Sequence, residues 1–505
     1  MKKAFKIYYT SDTHGHINPV NYATKTTKNA GLIACSEQFV KDANTLVIDG
    51  GDTIQGSPFT MFTVKKTVDQ HPVATVLNAA GYDFVTLGNH DFNYGEDHLN
   101  DYLTTLNARC LCANVVDTTK TLPIEPFTIH HMENGLKIGI VGIVTDFVPV
   151  WEKPENIKNL TFTDPFVAAK VALEEMKDQV DVTICLYHGG FENDLETDVS
   201  LSKTTENVGS KIARELDFDL LLTGHQHMPI EGQALFGTYI VQPAVNASSF
   251  LLINGNVENG QITFESSFQA PGDGKSFSNF PELVKLEQDV QTWLDVPVGF
   301  LDQPLLPDTK ANMALNGTPI ADFFNQIQLE ITGADISCTS LANEIKGFDA
   351  SVTVRDIVST YVYPNTLCTL AVPGSSLLMA LETVASYLEL DADRNPVVST
   401  KFLHPKVEHF NFDYFAGLTY VADLNKPVGQ RIGLVEVNGT PLDRAKTYTV
   451  AMNNYRTTGA GGYDVYADCD LLKEEPVEIS ELIIGYLEKY QNVVVKQFEK
   501  SKFIW

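Results

Sequence analysis

The chain has 505 residues, with 64 acidic against 36 basic side chains and a net charge of −28. That length exceeds one ordinary core and predicts two large domains. The charge excludes a nucleic-acid polymer as partner, and no segment is apolar over a length that could span a membrane. Seven cysteines without a C-x-x-C pair argue against a disulfide framework. Cys110 and Cys112 sit two apart, on one face of a strand, and read as core. Met1-Lys2-Lys3 runs almost directly into the strand-like Phe5–Tyr9, with no stretch long enough for a secretion signal. The chain as given is therefore expected in the cytoplasm, or exported if a leader has been trimmed.

Strand-like runs alternate with helical stretches up to about residue 255, which predicts an α/β layered domain. In chain order the strands are Phe5–Thr10, Thr45–Asp49, Phe84–Leu87, Lys137–Val144, Val182–Leu186, Leu220–Leu222 and Tyr239–Ala244. The helices are Gly31–Ala43, Val73–Ala80 and Pro165–Gln179. A breaker-rich stretch from Ala270 to Asn279 precedes a helix at Pro281–Leu294, with Pro at its entry. The expected domains are 1–275 and 300–505, joined by a linker helix at 276–299. The second domain reads as mixed α+β, with helices near Pro319–Glu330 and Gly374–Glu389.

Five polar motifs follow strand-like runs: Asp12-Thr13-His14, Gly51-Asp52, Gly88-Asn89-His90-Asp91, Tyr187-His188 and Gly224-His225-Gln226-His227. Ligands at several strand ends converge in space although they lie far apart in sequence. Asp12, His14, Asp52, Asn89, His188, His225 and His227 form a carboxylate, imidazole and amide set that suits two divalent metals, with Asp52 bridging. Metals about 3.5–4 Å apart clamp a phosphoryl group and activate a water. Gly51, Gly88 and Gly224 each precede a ligand, where a tight turn calls for permissive backbone. A lone Asp-x-His is ordinary surface and Gly-Asp is nearly uninformative. The ordered set of five is what carries the reading.

This ordered set resembles the calcineurin-like metallophosphoesterase superfamily, and the whole length resembles the 5′-nucleotidase family within it. The resemblance implies an α/β fold: an N-terminal four-layered metallophosphatase β-sandwich flanked by helices, linked by a helix to a C-terminal α+β substrate-binding domain of 5′-nucleotidase type. It implies two divalent metal ions (Mn, Zn, Fe or Co), one held by Asp12, His14, Asp52 and His227, the other by Asp52, Asn89, His188 and His225. His90 matches the histidine that assists at the phosphate, and His90 with Asp91 is expected to be catalytic. The branch commonly has an Asp three residues after this His, where this chain has Asn93, which brings no charge. The run Asn89-His90-Asp91-Phe92-Asn93-Tyr94-Gly95 resembles instead the 2′,3′-cyclic-nucleotide 2′-phosphodiesterases with 3′-nucleotidase activity.

In the second domain, Tyr361-Val362-Tyr363-Pro364-Asn365-Thr366 and the run from Asn453 to Tyr463 place aromatic rings beside amides. The expected substrate-binding residues are Tyr363, Asn365, Asn454, Tyr455, Arg456 and Gly461. By the resemblance, Tyr363 and Tyr455 stack on a nucleobase, and Arg456 is a phosphate or ribose contact. His409-Phe410-Asn411-Phe412-Asp413 reads as a structural signature in which Asn411 and Asp413 brace the pocket. Arg355 reads as an exposed helix residue. The expected activity is hydrolysis of nucleotide phosphoesters, first as a 2′,3′-cyclic-nucleotide 2′-phosphodiesterase/3′-nucleotidase and next as a 5′-nucleotidase or UDP-sugar hydrolase. A nucleotide-binding protein with a vestigial metal site and a thiosulfate-ester hydrolase are the further alternatives. The expected partner is a small nucleotide; the oligomeric state is left open, and a monomer is compatible with the reading.

Overall fold

The computed structural model describes residues 2–66, 68, 70–200, 204–363, 365–403 and 407–505. The chain divides into two compact units, Met1–Gln291 and Thr292–Trp505, and the division falls inside the helix Pro281–Leu294.

The first unit is built on two sheets. One has seven strands in the order Gln261–Gln269, Phe250–Glu258, Lys3–Thr10, Thr45–Asp49, Phe84–Val85, Arg109–Leu111 and Ile124–Glu125. The other has six, in the order Ile230–Leu235, Thr238–Gln242, Leu220–Thr223, Val182–His188, Lys137–Val144 and Phe127–His131. Side chains alternate across these strands. Ile138, Ile140, Ile184, Leu186, Leu220 and Leu222 pack against Phe5, Ile7, Tyr9, Leu46 and Ile48 of the other sheet, forming the centre of a β-sandwich. Val141, Ile143, Cys185, Tyr187 and Leu221 point the other way and pack under the helices Pro165–Met176 and Gly209–Glu215. Burial on both faces is why these strands read as continuous apolar runs. All seven cysteines are free thiols.

The central strands are parallel, and their carboxyl ends are flush. Thr10 lies beside Asp49 and Asp49 beside Val85 in one sheet, and Tyr187 lies beside Thr223 in the other. Every expected ligand sits at or just beyond one of these ends. Asp164 caps the Pro165–Met176 helix by accepting the Val167 N–H, and Pro165 stands in its first turn.

The second unit has a five-stranded sheet in the order Asp413–Ala416, Ile336–Ser340, Thr447–Asn453, Thr366–Pro373 and Asp470–Glu478, and a four-stranded sheet containing Leu418–Asp423. Its core joins both sheets to the helix Gly374–Ala385 through Leu377, Leu381, Val450, Leu418 and Tyr420. Among the described residues, no helix is long and apolar enough to cross a membrane.

Candidate metal centre and active site

The loop after the first strand is zipped to the loop after the second. Asp12 N–H donates to Gly51 O, His14 N–H to Asp52 O and Gly15 N–H to Thr53 O, each at 2.9 Å. Five of the expected ligands carry unusual backbone. Asp12, His14, Asp52, His225 and His227 have φ of 53°, 46°, 54°, 71° and 54°, all in the left-handed region. Such conformations cost stability and concentrate at functional sites. The glycines play a different part from the one expected. Only Gly51 has a positive φ, 88°, and Gly88 is extended. Gly88 and Gly224 are required by close approach: a Cβ on Gly88 would lie 2.1 Å from Asp52 Oδ1, and one on Gly224 would lie 2.6 Å from Asp12 Oδ2.

Six of the expected ligands fall into two groups, Asp12 with His14 and His227, and Asp52 with His188 and His225, with ligand atoms within 4.8 Å of one another in each. His227 Nε2 lies 3.4 Å from Asp12 Oδ1, and His188 Nε2 lies 3.2 Å from Asp52 Oδ2. His14 Nε2 is 3.0 Å from His227 Nε2 and 4.0 Å from Asp52 Oδ2, so Asp52 stands between the groups. Asn89, the seventh expected ligand, joins the second group through Oδ1, 2.9 Å from His225 Nδ1. His90 adjoins through its backbone N–H, which donates to Asp52 Oδ1 at 2.7 Å, and its ring stands edge-on to His14 at 5.3 Å.

The donor chemistry fits divalent cations. His188 Nδ1–H donates to Gly50 O at 2.6 Å, which aims the buried Nε2 at Asp52, where it finds no aligned hydrogen-bond partner. His14 is held likewise, Nδ1 to Gln55 O at 3.2 Å. Carbonyl-anchored imidazoles facing carboxylates are the arrangement that orients metal-binding histidines. Burial alone lowers the His188 imidazole, but the Asp52 charge outweighs it and raises the group to about 10. Burial pushes His14 down to about 3. Burial raises Asp12, yet the hydrogen bond from His227 and the charge of His188 hold it below the usual carboxylate range.

Several contributors carry no sequence signal. Glu206 Oε1 sits 2.9 Å from His225 Nε2, and Trp151 stacks on the His225 ring at 5.5 Å, so this imidazole is fixed from two further sides. Glu152 reaches the centre through Asn93, which donates to its Oε2 at 2.6 Å.

Asp91, expected as catalytic, is a structural brace. It is 1% exposed, and its two oxygens accept four backbone N–H groups, from Gly88, Asp52, Thr53 and Ile54, at 2.8–3.0 Å. No lone pair is left facing the reacting groups. Burial and the neighbouring Asp52 charge raise its pKa. Asp91→Ala strands four buried donors at about 1–3 kcal/mol each, some of which water will reclaim. The expected loss is at least about 3 kcal/mol, read as a lower denaturation midpoint for the first unit.

In the second unit, the Tyr363 and Tyr455 rings are half-buried and exposed, respectively, and both meet Phe410 edge-to-face, at 6.0 and 6.4 Å. Phe410, read from sequence as part of a structural signature, is thus a third ring of this cluster. Asn365 and Asn454 flank the tyrosines in sequence, and Pro364 lies outside the described residues. Arg456 is not a free cation for substrate. It is 1% exposed, pairs with Asp413 at 2.9 Å, donates to Ala460 O and Phe410 O, and lies 4.0 Å over the Tyr463 ring. Gly461 belongs to the same packing, since a Cβ there would lie 2.1 Å from Asn411 Oδ1. Arg355 is also corrected: it is buried, with its Nε 2.7 Å from Asp295 Oδ1.

A parallel-stranded sandwich with buried carboxylates and imidazoles clustered beyond its strand ends defines a metallophosphoesterase. The calcineurin-like phosphoesterase family matches residues 5–229, and the 5′-nucleotidase C-terminal domain matches residues 297–468. A Staphylococcus aureus crystal structure described as a candidate 5′-nucleotidase in complex with alpha-ketoglutarate is 32% identical, with a TM-score of 0.75 over 99% of this chain and 100% of that one. The chain belongs to the 5′-nucleotidase family of calcineurin-like phosphoesterases and is a phosphoester hydrolase, a class that implies divalent metals. It is also similar to the 2′,3′-cyclic-nucleotide 2′-phosphodiesterase/3′-nucleotidase of Salmonella typhimurium, at 25% identity over 90% of this chain and 81% of that protein. The trifunctional nucleotide phosphoesterase protein YfkN of Bacillus subtilis is 24% identical over 96% of this chain, which spans 38% of that protein's length.

Proposed function

We propose that the chain is a dinuclear-metal hydrolase of nucleotide phosphoesters that acts on 2′,3′-cyclic nucleotides and 3′-nucleotides. The observation that carries the substrate choice is the state of the arginines. Arg456 beside the aromatic cluster, the expected phosphate or ribose contact, is bound to Asp413, and Arg355 is bound to Asp295, so the second unit offers rings and amides for a nucleoside while both arginines are engaged within the fold. A 5′-nucleotidase that grips phosphate with arginines is supported less by this pairing. Asn93 in place of an aspartate, and the likeness to the Salmonella protein, support the same choice.

Asp12, His14, Asp52 and His227 would hold one ion, and Asp52, Asn89, His188 and His225 the other. When bound, such ions supply Lewis-acid charge to phosphoryl oxygens and lower the pKa of water toward neutrality. The residues do the rest. Asp12 and Asp52 bring the negative charge that retains cations in a buried site, on a chain whose net charge otherwise repels phosphate. Asp91 fixes the Asp52 loop by its backbone. In its cationic form, with both ring nitrogens protonated, His90 offers Nε2–H to the charge that builds on the phosphoryl oxygens, or gives that proton to the leaving ribose oxygen. With a 2′,3′-cyclic substrate the 2′ bond opens first, and a second turnover releases the 3′ phosphate. Tyr363, Phe410 and Tyr455 would hold the base.

The test is a panel of 2′,3′-cyclic AMP, 3′-AMP and AMP with Mn or Zn added. Higher kcat/KM on the first two is expected, and a clear preference for AMP would replace this reading with a 5′-nucleotidase. Base stacking on an aromatic is worth about 1–3 kcal/mol by alanine substitution. Tyr455→Ala is therefore expected to raise KM for a nucleotide roughly 5- to 150-fold. It should leave hydrolysis of p-nitrophenyl phosphate unchanged, and equal losses on both substrates would remove Tyr455 from base binding.

A further inference from the structure

The residue that departs from the expected pattern, Asn93, is not a dead end for charge. Its Oδ1 lies 2.8 Å from His90 Nδ1, and its Nδ2 donates to Glu152 Oε2 at 2.6 Å. Glu152 is 6% exposed at the end of the short helix Val148–Trp151. Its other oxygen accepts Lys153 N–H at 2.7 Å and Asn156 Nδ2–H at 2.9 Å. Asn156 also donates to Asn93 O at 2.9 Å, which ties the two segments together. Among the described residues, Glu152 has no ion-pair partner of its own.

These contacts have a logical order. A carboxylate only accepts, so Glu152 obliges Asn93 to turn its NH2 outward. The Asn93 carbonyl then faces His90, and a carbonyl also only accepts, so Nδ1 must carry a proton. We propose that Glu152 is a positioning residue which, through the amide of Asn93, fixes the His90 tautomer with Nδ1–H and leaves Nε2 as the nitrogen presented to substrate. The acid expected at position 93 is thereby displaced by one side chain and not lost. This proposal rests on the phosphoesterase reading for its kinetic consequences but not for its structural one.

The substitution Glu152→Gln distinguishes charge and polarity from bulk. Glutamine has one acceptor oxygen for three donors. Lys153 N–H and Asn156 Nδ2–H together claim it, which leaves the glutamine NH2 facing the Asn93 NH2. Asn93 must rotate its amide to relieve that clash, and its NH2 then points at His90 Nδ1. Nδ1 must then accept, so the ring is held as the neutral Nε2–H tautomer and cannot carry both protons. The exchanged pair Asn93→Asp with Glu152→Gln undoes this, since the introduced carboxylate accepts from both neighbours and the introduced amide donates to it.

The experiment uses the full chain labelled with 15N-histidine, with His90 signals identified by their loss in His90→Gln, and steady-state kinetics on 2′,3′-cyclic AMP with Mn. Wild type is expected to show protonated Nδ1. Glu152→Gln is expected to show the opposite tautomer, with kcat lower by about 10- to 100-fold at little change in KM, the usual range for an outer-shell partner. The exchanged pair is expected to recover both the tautomer and kcat to within a few-fold. A Glu152→Gln protein with the wild-type tautomer and kcat overturns the proposal. So does a folded exchanged pair that shows Nε2–H, which decides the matter even if the single variant does not fold. The tautomer is read without metal or turnover, so an inactive wild type would sink the hydrolase reading and leave this one to stand or fall by its spectra.

Discussion

Replacing Asp52 with Asn is expected to lower phosphoester hydrolysis by about 10³-fold or more and to release at least one equivalent of bound metal. A bridging carboxylate matters more than an outer-shell partner, whose loss alone costs about 10- to 100-fold. Asp52 is 1% exposed, its Oδ2 lies 3.2 Å from His188 Nε2 and 4.0 Å from His14 Nε2, and its Oδ1 accepts the His90 N–H. Asparagine keeps the volume and one oxygen, so the loop and the His90 contact should survive. It removes the charge shared by the two ligand groups. Kinetics with metal analysis on the same preparation check this. Activity retained with full metal content would refute the bridging role.

Replacing His90 with Gln is expected to lower kcat by about 10²- to 10⁴-fold, the usual contribution of a positioned acid or base. Metal content and the denaturation midpoint should not change. The His90 ring is tied to the Asn93 amide at 2.8 Å, outside both ligand groups, while its backbone N–H is what hydrogen-bonds Asp52. It can therefore be removed without opening either ligand group. A loss confined to KM would make it a ground-state binder, and a loss of metal would make it a ligand.

The sequence made the sandwich legible because its central strands are buried on both faces. Lys137–Val144 and Thr45–Asp49 coincide with their expected limits for that reason. The expected helix Gly31–Ala43 is real only over Leu32–Ser36. Phe39 leaves the helical path to pack on Tyr8 and Phe250 at 4.8 and 5.2 Å, a long-range contact that overrides local propensity. Likewise the helix at Gly374 stops at Ala385, where Tyr387 and Leu388 turn into the core.

Within the site, aspartate and histidine beyond strand ends were visible because their spacing is unusual. Glu152 and Glu206 were not, because they are two of 64 acidic residues in a chain where acid is the commonplace surface. Phe410 hid in a segment whose neighbours Asn411 and Asp413 brace the fold, Asp413 by its pair with Arg456. Asp91 and Arg456 were visible but misread. Each stands in a motif that reads as chemistry, and only the three-dimensional partners show Asp91 holding four backbone N–H groups and Arg456 paired with Asp413.

The most direct test is anomalous diffraction from crystals of the full chain grown with manganese. Two peaks are expected, one among Asp12, His14 and His227 and one among Asn89, His188 and His225, with Asp52 reaching both. A single peak, or none with those imidazoles turned away from Asp12 and Asp52, would contradict the dinuclear centre.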